Sequence, residues 1–147
     1  MRVIFLRIYL ISILWINYNY AYDKSYSDYP LSFIVDSCLI TKERIYNKKF
    51  TQEKVLENRK KYNICMNFIM SLSTTLNRRC IFSKKEEISP ENSMTFADLS
   101  NVQSTADLIN EIIEYSNKNP HFINQIAWLH ASKAISQKWP CIKNLDK

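Results

Sequence analysis

The sequence predicts an all-α protein: a small disulfide-stapled bundle of about four helices, with a long connection between helices two and three. Three observations carry that expectation. Glycine is absent from all 147 residues, which argues against hairpin-rich β folds, because the tight turns that join antiparallel strands normally need it. Apolar residues recur at steps of three and four along most of the chain, the period of one helix face. Four cysteines, Cys38, Cys65, Cys80 and Cys141, follow an N-terminal segment laid out like an export signal.

That segment, residues 1–21, opens with Arg2, continues into an apolar run from Ile8 to Ile16 and ends on small or polar residues around Asn19 and Ala21. The charge, apolar run and small-residue order is that of a cleaved signal peptide. The run is too short for a membrane anchor, so no stable membrane insertion is expected after cleavage. Residues 22–147 then form a single secreted domain, long enough for one core. Loss of the two arginines Arg2 and Arg7 lowers the formal charge from +6 to +4.

A polar lead-in precedes a first helix over residues 31–47, with Leu31, Ile34, Cys38 and Ile45 on its inner face. Thr51 is placed to cap the second and longest helix, whose stripe is Val55, Tyr62, Cys65, Ile69, Leu72 and Leu76. Ser71, Ser73, Thr74 and Thr75 compete for backbone partners and predict a bend near its end. Residues 81–97 read as a polar connection in which Ser89-Pro90-Glu91 starts a short helical piece. The third helix is expected over residues 98–116, with Leu99, Val102, Ala106, Ile109 and Ile113 inward. Asn119-Pro120 opens the fourth, which carries Phe122, Ile126, Leu129, Ala131, Ala134 and Ile135 and stops at Trp139-Pro140. Without glycine, Asn47, Asn77 and Asn117 are expected to end helices in its place.

An even number of cysteines in an exported chain reads as two disulfides. None of the close pairs typical of zinc sites is present. If neighbouring helices run antiparallel, Cys38 and Cys65 fall at similar height and Cys80 and Cys141 share one end. Pairing Cys38 with Cys65 and Cys80 with Cys141 therefore needs no rearrangement, and Cys38–Cys80 with Cys65–Cys141 is the competitor. A Cys65–Cys80 bridge would have to span roughly 22 Å of straight helix, against the limit of about 7 Å for bridged Cα atoms.

The search for chemistry is mostly negative. The absence of glycine excludes phosphate-binding and dinucleotide-binding loops, and no nucleophile–base signature is present. His121 and His130, nine apart on one expected helix, point in different directions, and His130 reads as a hydrogen-bonded core residue rather than a base. Glu111 and Glu114 lack the histidine partner of a carboxylate metal bundle and read as a solvated face. No cofactor, metal or enzymatic activity is expected. Residues 42–61 are strongly basic and carry Tyr46 and Phe50, whereas residues 86–114 hold acids and no base. Arg59, Lys60 and Lys61 are the candidate binding patch, although such runs are commonly solvated helix faces, and nucleic acid is not the expected partner.

Cys38, then Tyr62-Asn63-Ile64-Cys65, then Cys80 and Cys141 resemble the paired cysteine–tyrosine–cysteine modules of the bicycle family of aphid salivary effectors. The resemblance makes Tyr62 the module tyrosine of the first unit. In the second, Trp139 occupies the place near Cys141 and Tyr115 lies far from it. It implies secretion from insect salivary glands into plant tissue and no established enzymatic activity. The expected function is a secreted, non-enzymatic effector that binds a host macromolecule, a protein before any other. A small helical carrier of an apolar ligand and a cytokine-like or venom-like signalling protein are the alternatives.

Overall fold

The first helix among the described residues is short: α1 (Leu31–Cys38). The computed structural model describes residues 28–40, 49–85 and 96–141. The signal-peptide segment, Ile45, Tyr46, Asn47 and Ser89-Pro90-Glu91 lie outside them. Three further helices follow: α2 (Gln52–Lys85), α3 (Thr105–Lys118) and α4 (Ala127–Lys138), with a 3₁₀ turn at Pro120–Phe122 between the last two. All six helix pairs are in contact. The expected all-α bundle is what the chain forms, with the long connection between α2 and α3.

The core is built where each helix presents an apolar stripe. Leu31 and Ile34 of α1, Phe68, Ile69 and Leu72 of α2, and Ala127, Ala131 and Ile135 of α4 are all fully buried. Phe68 meets Trp128 edge-on, with ring centroids 6.1 Å apart. Alanines on α4 let its backbone approach closely while the larger residues of α1 and α2 fill the space.

Helix α2 runs for 34 residues without interruption. Thr51 Oγ1 accepts the Lys54 amide at 3.3 Å, as expected of a cap. The predicted bend is absent. The hydroxyls of Ser73 and Thr75 donate back to the carbonyls of Met70 and Ser71 within the helix, so they satisfy themselves without breaking the ladder. The inner stripe is Cys65, Phe68, Ile69, Leu72, Leu76 and Cys80, whereas Val55 and Tyr62 are only half-buried.

Both disulfides pair as the helix heights suggested: Cys38–Cys65, with Cα atoms 5.0 Å apart, and Cys80–Cys141, at 5.6 Å. Helix α1 is shorter than expected and stops at the cysteine that ties it to α2, with the Leu39 amide folding back onto Val35 and Ser37.

The fourth helix differs most from expectation. It begins at Ala127, not at Asn119, and the reason lies in α1. Pro30 caps α1 without any side-chain bond, so its first amides need other acceptors. Leu31 N–H donates to Gln125 O at 2.8 Å and Ser32 N–H to Ile123 O at 2.7 Å, while Ala127 N–H returns to Tyr29 O at 2.8 Å. Carbonyls turned toward α1 are unavailable to a helix through 123–126. Ile126 and Leu129, expected inside, are about half exposed, and the buried side is Ala127, His130, Ala131, Ala134 and Ile135.

Helix α3 is rotated and shifted from the sequence reading. A capping box sets its start: Ser104 Oγ accepts Asp107 N–H and Asp107 Oδ2 accepts Ser104 N–H. Its core face is Leu108, Ile112 and Tyr115. Ala106 is exposed and Ile109 and Ile113 are half-buried, because Leu99 and Val102 precede the helix and do not set its phase. Asn77 and Asn117 do not terminate helices. Asn119 ends α3 with φ −129°, outside the left-handed region, and its Nδ2 donates to Tyr115 O at 2.9 Å.

Candidate interaction surface

The outward face of α2 is where the sequence-predicted patch sits. After Glu57 no acid occurs until Glu86, so the last 28 residues of the helix, 58–85, are acid-free. Arg59 and Lys60 are exposed and have no ion-pair partner among the described residues. Lys61 differs: it is half-buried, and its Nζ lies 3.0 Å from Glu57 Oε1, with Lys54 on the other carboxylate oxygen at 2.8 Å. The two ammonium groups, Lys54 first, hold the Glu57 carboxyl down at about 2. The patch is therefore two open cations beside a Lys54–Glu57–Lys61 triad that keeps one net positive charge. Phe50 is exposed and Tyr62 half-buried at its edge.

Leu56, before the patch, is exposed at 64%; further along the same helix, Arg78 and Lys85 are exposed among apolar side chains that are also exposed: Met70 at 60%, Ile81 at 47% and Phe82 at 58%. Met70, Thr74, Asn77 and Ile81 recur at four, three and four residues and form one stripe opposite the core. Beside it lies an open cleft of about 470 Å³. Thr74, Asn77 and Arg78 line one side, Leu99 and residues 102–105 the other, with Leu108 between them. Asn77 Oδ1 accepts the Leu99 amide at 3.3 Å and closes one end. Sequence periodicity missed Met70, Arg78 and Ile81 because it follows the buried stripe. The signal that could have found them is the absence of acid from residues 58–85.

A second polar junction lies at the Cys80–Cys141 end. Ala97 N–H donates to Leu76 O and Asp98 N–H to Trp139 O, and Lys84 pairs with Asp98 across the connection. Asp98 Oδ1 also accepts the Ser100 hydroxyl and amide. Lys84, then Ser100, hold this carboxyl down at about 2. The geometry suits a structural clasp.

The two histidines belong to different elements and meet on one ring, contrary to the single-helix expectation. His121 and His130 flank Phe122, with centroids 3.9 and 4.2 Å away. His130 is buried, its Nε2 lies 2.9 Å from Gln125 Oε1, and its Nδ1 has no hydrogen-bond partner. Burial first, then Lys133 and His121, lowers its pKa. His130 is thus the hydrogen-bonded core residue foreseen. Glu114 pairs with Lys118, and Glu111 lies 3.9 Å from Lys138. Among the described residues no group of three or more His, Cys, Asp or Glu could hold a metal, and no helix is long and apolar enough to cross a membrane.

Compared with protein-family models, curated proteins and solved structures, the chain shows no match.

Proposed function

We propose that the protein is a secreted effector that acts by binding a host protein and catalyses nothing. The observation that carries this reading is the outward face of α2. Over 28 residues it has no acid, and it exposes Arg59, Lys60, Arg78 and Lys85 beside Leu56, Met70, Ile81 and Phe82. Arginine and methionine are enriched at protein interfaces, and a mixed basic and apolar face suits an acidic, partly apolar partner. Two disulfides anchor the helix at Cys65 and Cys80, so the face is rigid before binding and little ordering entropy is lost on contact. Disulfides are at home in an extracellular compartment. The cysteine and tyrosine pattern that resembles the bicycle family points to the same class and to plant tissue as the setting.

The test is affinity purification from plant tissue with the disulfide-bonded protein and with the Arg59→Glu, Lys60→Glu, Lys61→Glu triple variant. A host protein retained by the first and lost by the folded variant at physiological salt supports the reading. Equal retention removes the patch from it, and turnover of a substrate by the purified protein would refute it.

A further inference from the structure

We propose that the cleft between α2 and residues 99–105 is the recognition point for a peptide segment that presents an apolar side chain next to a carboxylate. The proposal rests on the host-protein reading above and names the chemistry of the partner.

Three observations converge on this cleft. The first is its shape. About 470 Å³ is open to solvent, room for one or two side chains but too exposed to enclose an apolar ligand. The second is its lining. Leu99, Val102 and Leu108 supply apolar surface, with Leu99 and Val102 only partly buried. Thr74, Asn77 and Arg78 face them from α2.

The third is charge. Arg78 is exposed and has no ion-pair partner among the described residues. No acid on α2 follows Glu57. Among the described residues, the acids near the opposite wall are already engaged: Asp107 in the Ser104 capping box and Asp98 with Lys84 and Ser100. That capping box occupies the amides of Ser104 and Asp107 at the start of α3. A guanidinium beside an apolar seat pairs best with a carboxylate, which it can grip through two parallel hydrogen bonds.

The stripe on either side fixes the extent of the contact. Exposed Met70 and Ile81 lie one turn before and one turn after the cleft on the same face of α2. At 1.5 Å rise per residue they are roughly 16 Å apart. A segment lying along the stripe therefore meets apolar, cationic and apolar surface in turn, complementary to an apolar–acidic–apolar pattern.

The probe is a pair of acetylated, amidated hexapeptides that differ only in Leu-Glu against Leu-Gln at the centre. They are titrated into the ¹⁵N-labelled, disulfide-bonded full chain. Saturable shifts are expected at Arg78, Leu99 and Val102, with the glutamine peptide at least about fivefold weaker, the effect of losing a charge-assisted bond. Arg78→Glu abolishes binding and Arg78→Lys restores part of it. Thr74→Trp, at an exposed position, fills the cleft and blocks binding without touching the charge. Equal binding of the two peptides, or binding indifferent to Arg78→Glu and Thr74→Trp in folded protein, overturns the proposal. So does the absence of shifts at these residues at millimolar peptide. The two readings fail separately. Peptide binding at the cleft without capture of any host protein sustains the cleft and refutes the host-protein reading. Capture that depends on Arg59 and Lys60, with no peptide response at the cleft, does the reverse.

Discussion

Ser32, in the first turn of α1, donates its amide to the carbonyl of Ile123 at 2.7 Å. The start of the first helix is thus capped by the backbone that leads into the last. This bond and its Leu31–Gln125 neighbour replace the side chain that Pro30 does not supply. Proline at position 32 keeps a helical φ but removes the donor and disfavours helical Leu31. Ser32→Pro is expected to cost about 1–3 kcal/mol, read from urea midpoints. Ser32→Ala, which keeps the amide, should fall within about 0.5 kcal/mol of the parent.

Removing the two disulfides should not have equal effects. Cys38–Cys65 spans 27 residues and Cys80–Cys141 spans 61. Loop-closure entropy gives about 3.6 kcal/mol for the first and about 4.3 kcal/mol for the second. The Cys80→Ala, Cys141→Ala variant should therefore melt below the Cys38→Ala, Cys65→Ala variant. Peptide mapping of unreduced protein should recover both bridges.

Asp98 ties stability to acid pH. Its carboxyl is lowered from 3.8 to about 2, by Lys84 first and then Ser100. A depressed carboxylate contributes stability above its unfolded value, and the contribution is lost as pH falls through the folded value. The side chain is nearly a third exposed, so solvent screening keeps the contribution to about 1 kcal/mol. Asp98→Asn should lower the urea midpoint near neutral pH and converge with the parent below pH 2, its folded value being about 2.

His130 acts at higher pH. Gln125 Oε1 engages Nε2, and Nδ1 has no acceptor for the second proton that charging would add. Tyr115 from α3, His121 from the turn and Lys133 from α4 offer no negative charge to help. The folded pKa is lowered from 6.5, so the unfolded chain takes the proton first. Stability is full above the unfolded value and declines as pH falls through it toward the folded value. His130→Phe should flatten thermal midpoints measured from neutral pH down to mildly acidic pH, where the parent declines.

The parts of this fold legible in the sequence are those where side-chain period alone decides. The Cys65–Ile69–Leu72–Leu76 stripe, the Thr51 cap, the Trp139 stop and the disulfide pairing follow from spacing. The start of α4 was not legible, because it is set by amides of Leu31 and Ser32, far away in the chain, that claim the carbonyls of Ile123 and Gln125. The phase of α3 was not legible either. Leu99 and Val102 mimic its stripe but belong to the segment that lines the cleft. Of the candidate surface, Arg59 and Lys60 are exposed as read, whereas Lys61 is tied to Glu57. Arg78 escaped because an exposed arginine becomes notable only when the acids described around it prove to be engaged.

Each disulfide has one end on α2, at Cys65 and at Cys80, and this governs what a peptidase can do. A single cut between Cys38 and Cys65 leaves the fragments joined by the first bridge, and one between Cys80 and Cys141 leaves them joined by the second. Between the outermost cysteines, only a cut in residues 66–79 would part the chain. That stretch is uninterrupted helix, whereas nicking favours exposed loop tips. The vulnerable stretch of the covalent frame is thus sheltered in its most regular element. A protein nicked once within either disulfide loop would hold its fragments together until its disulfides are reduced.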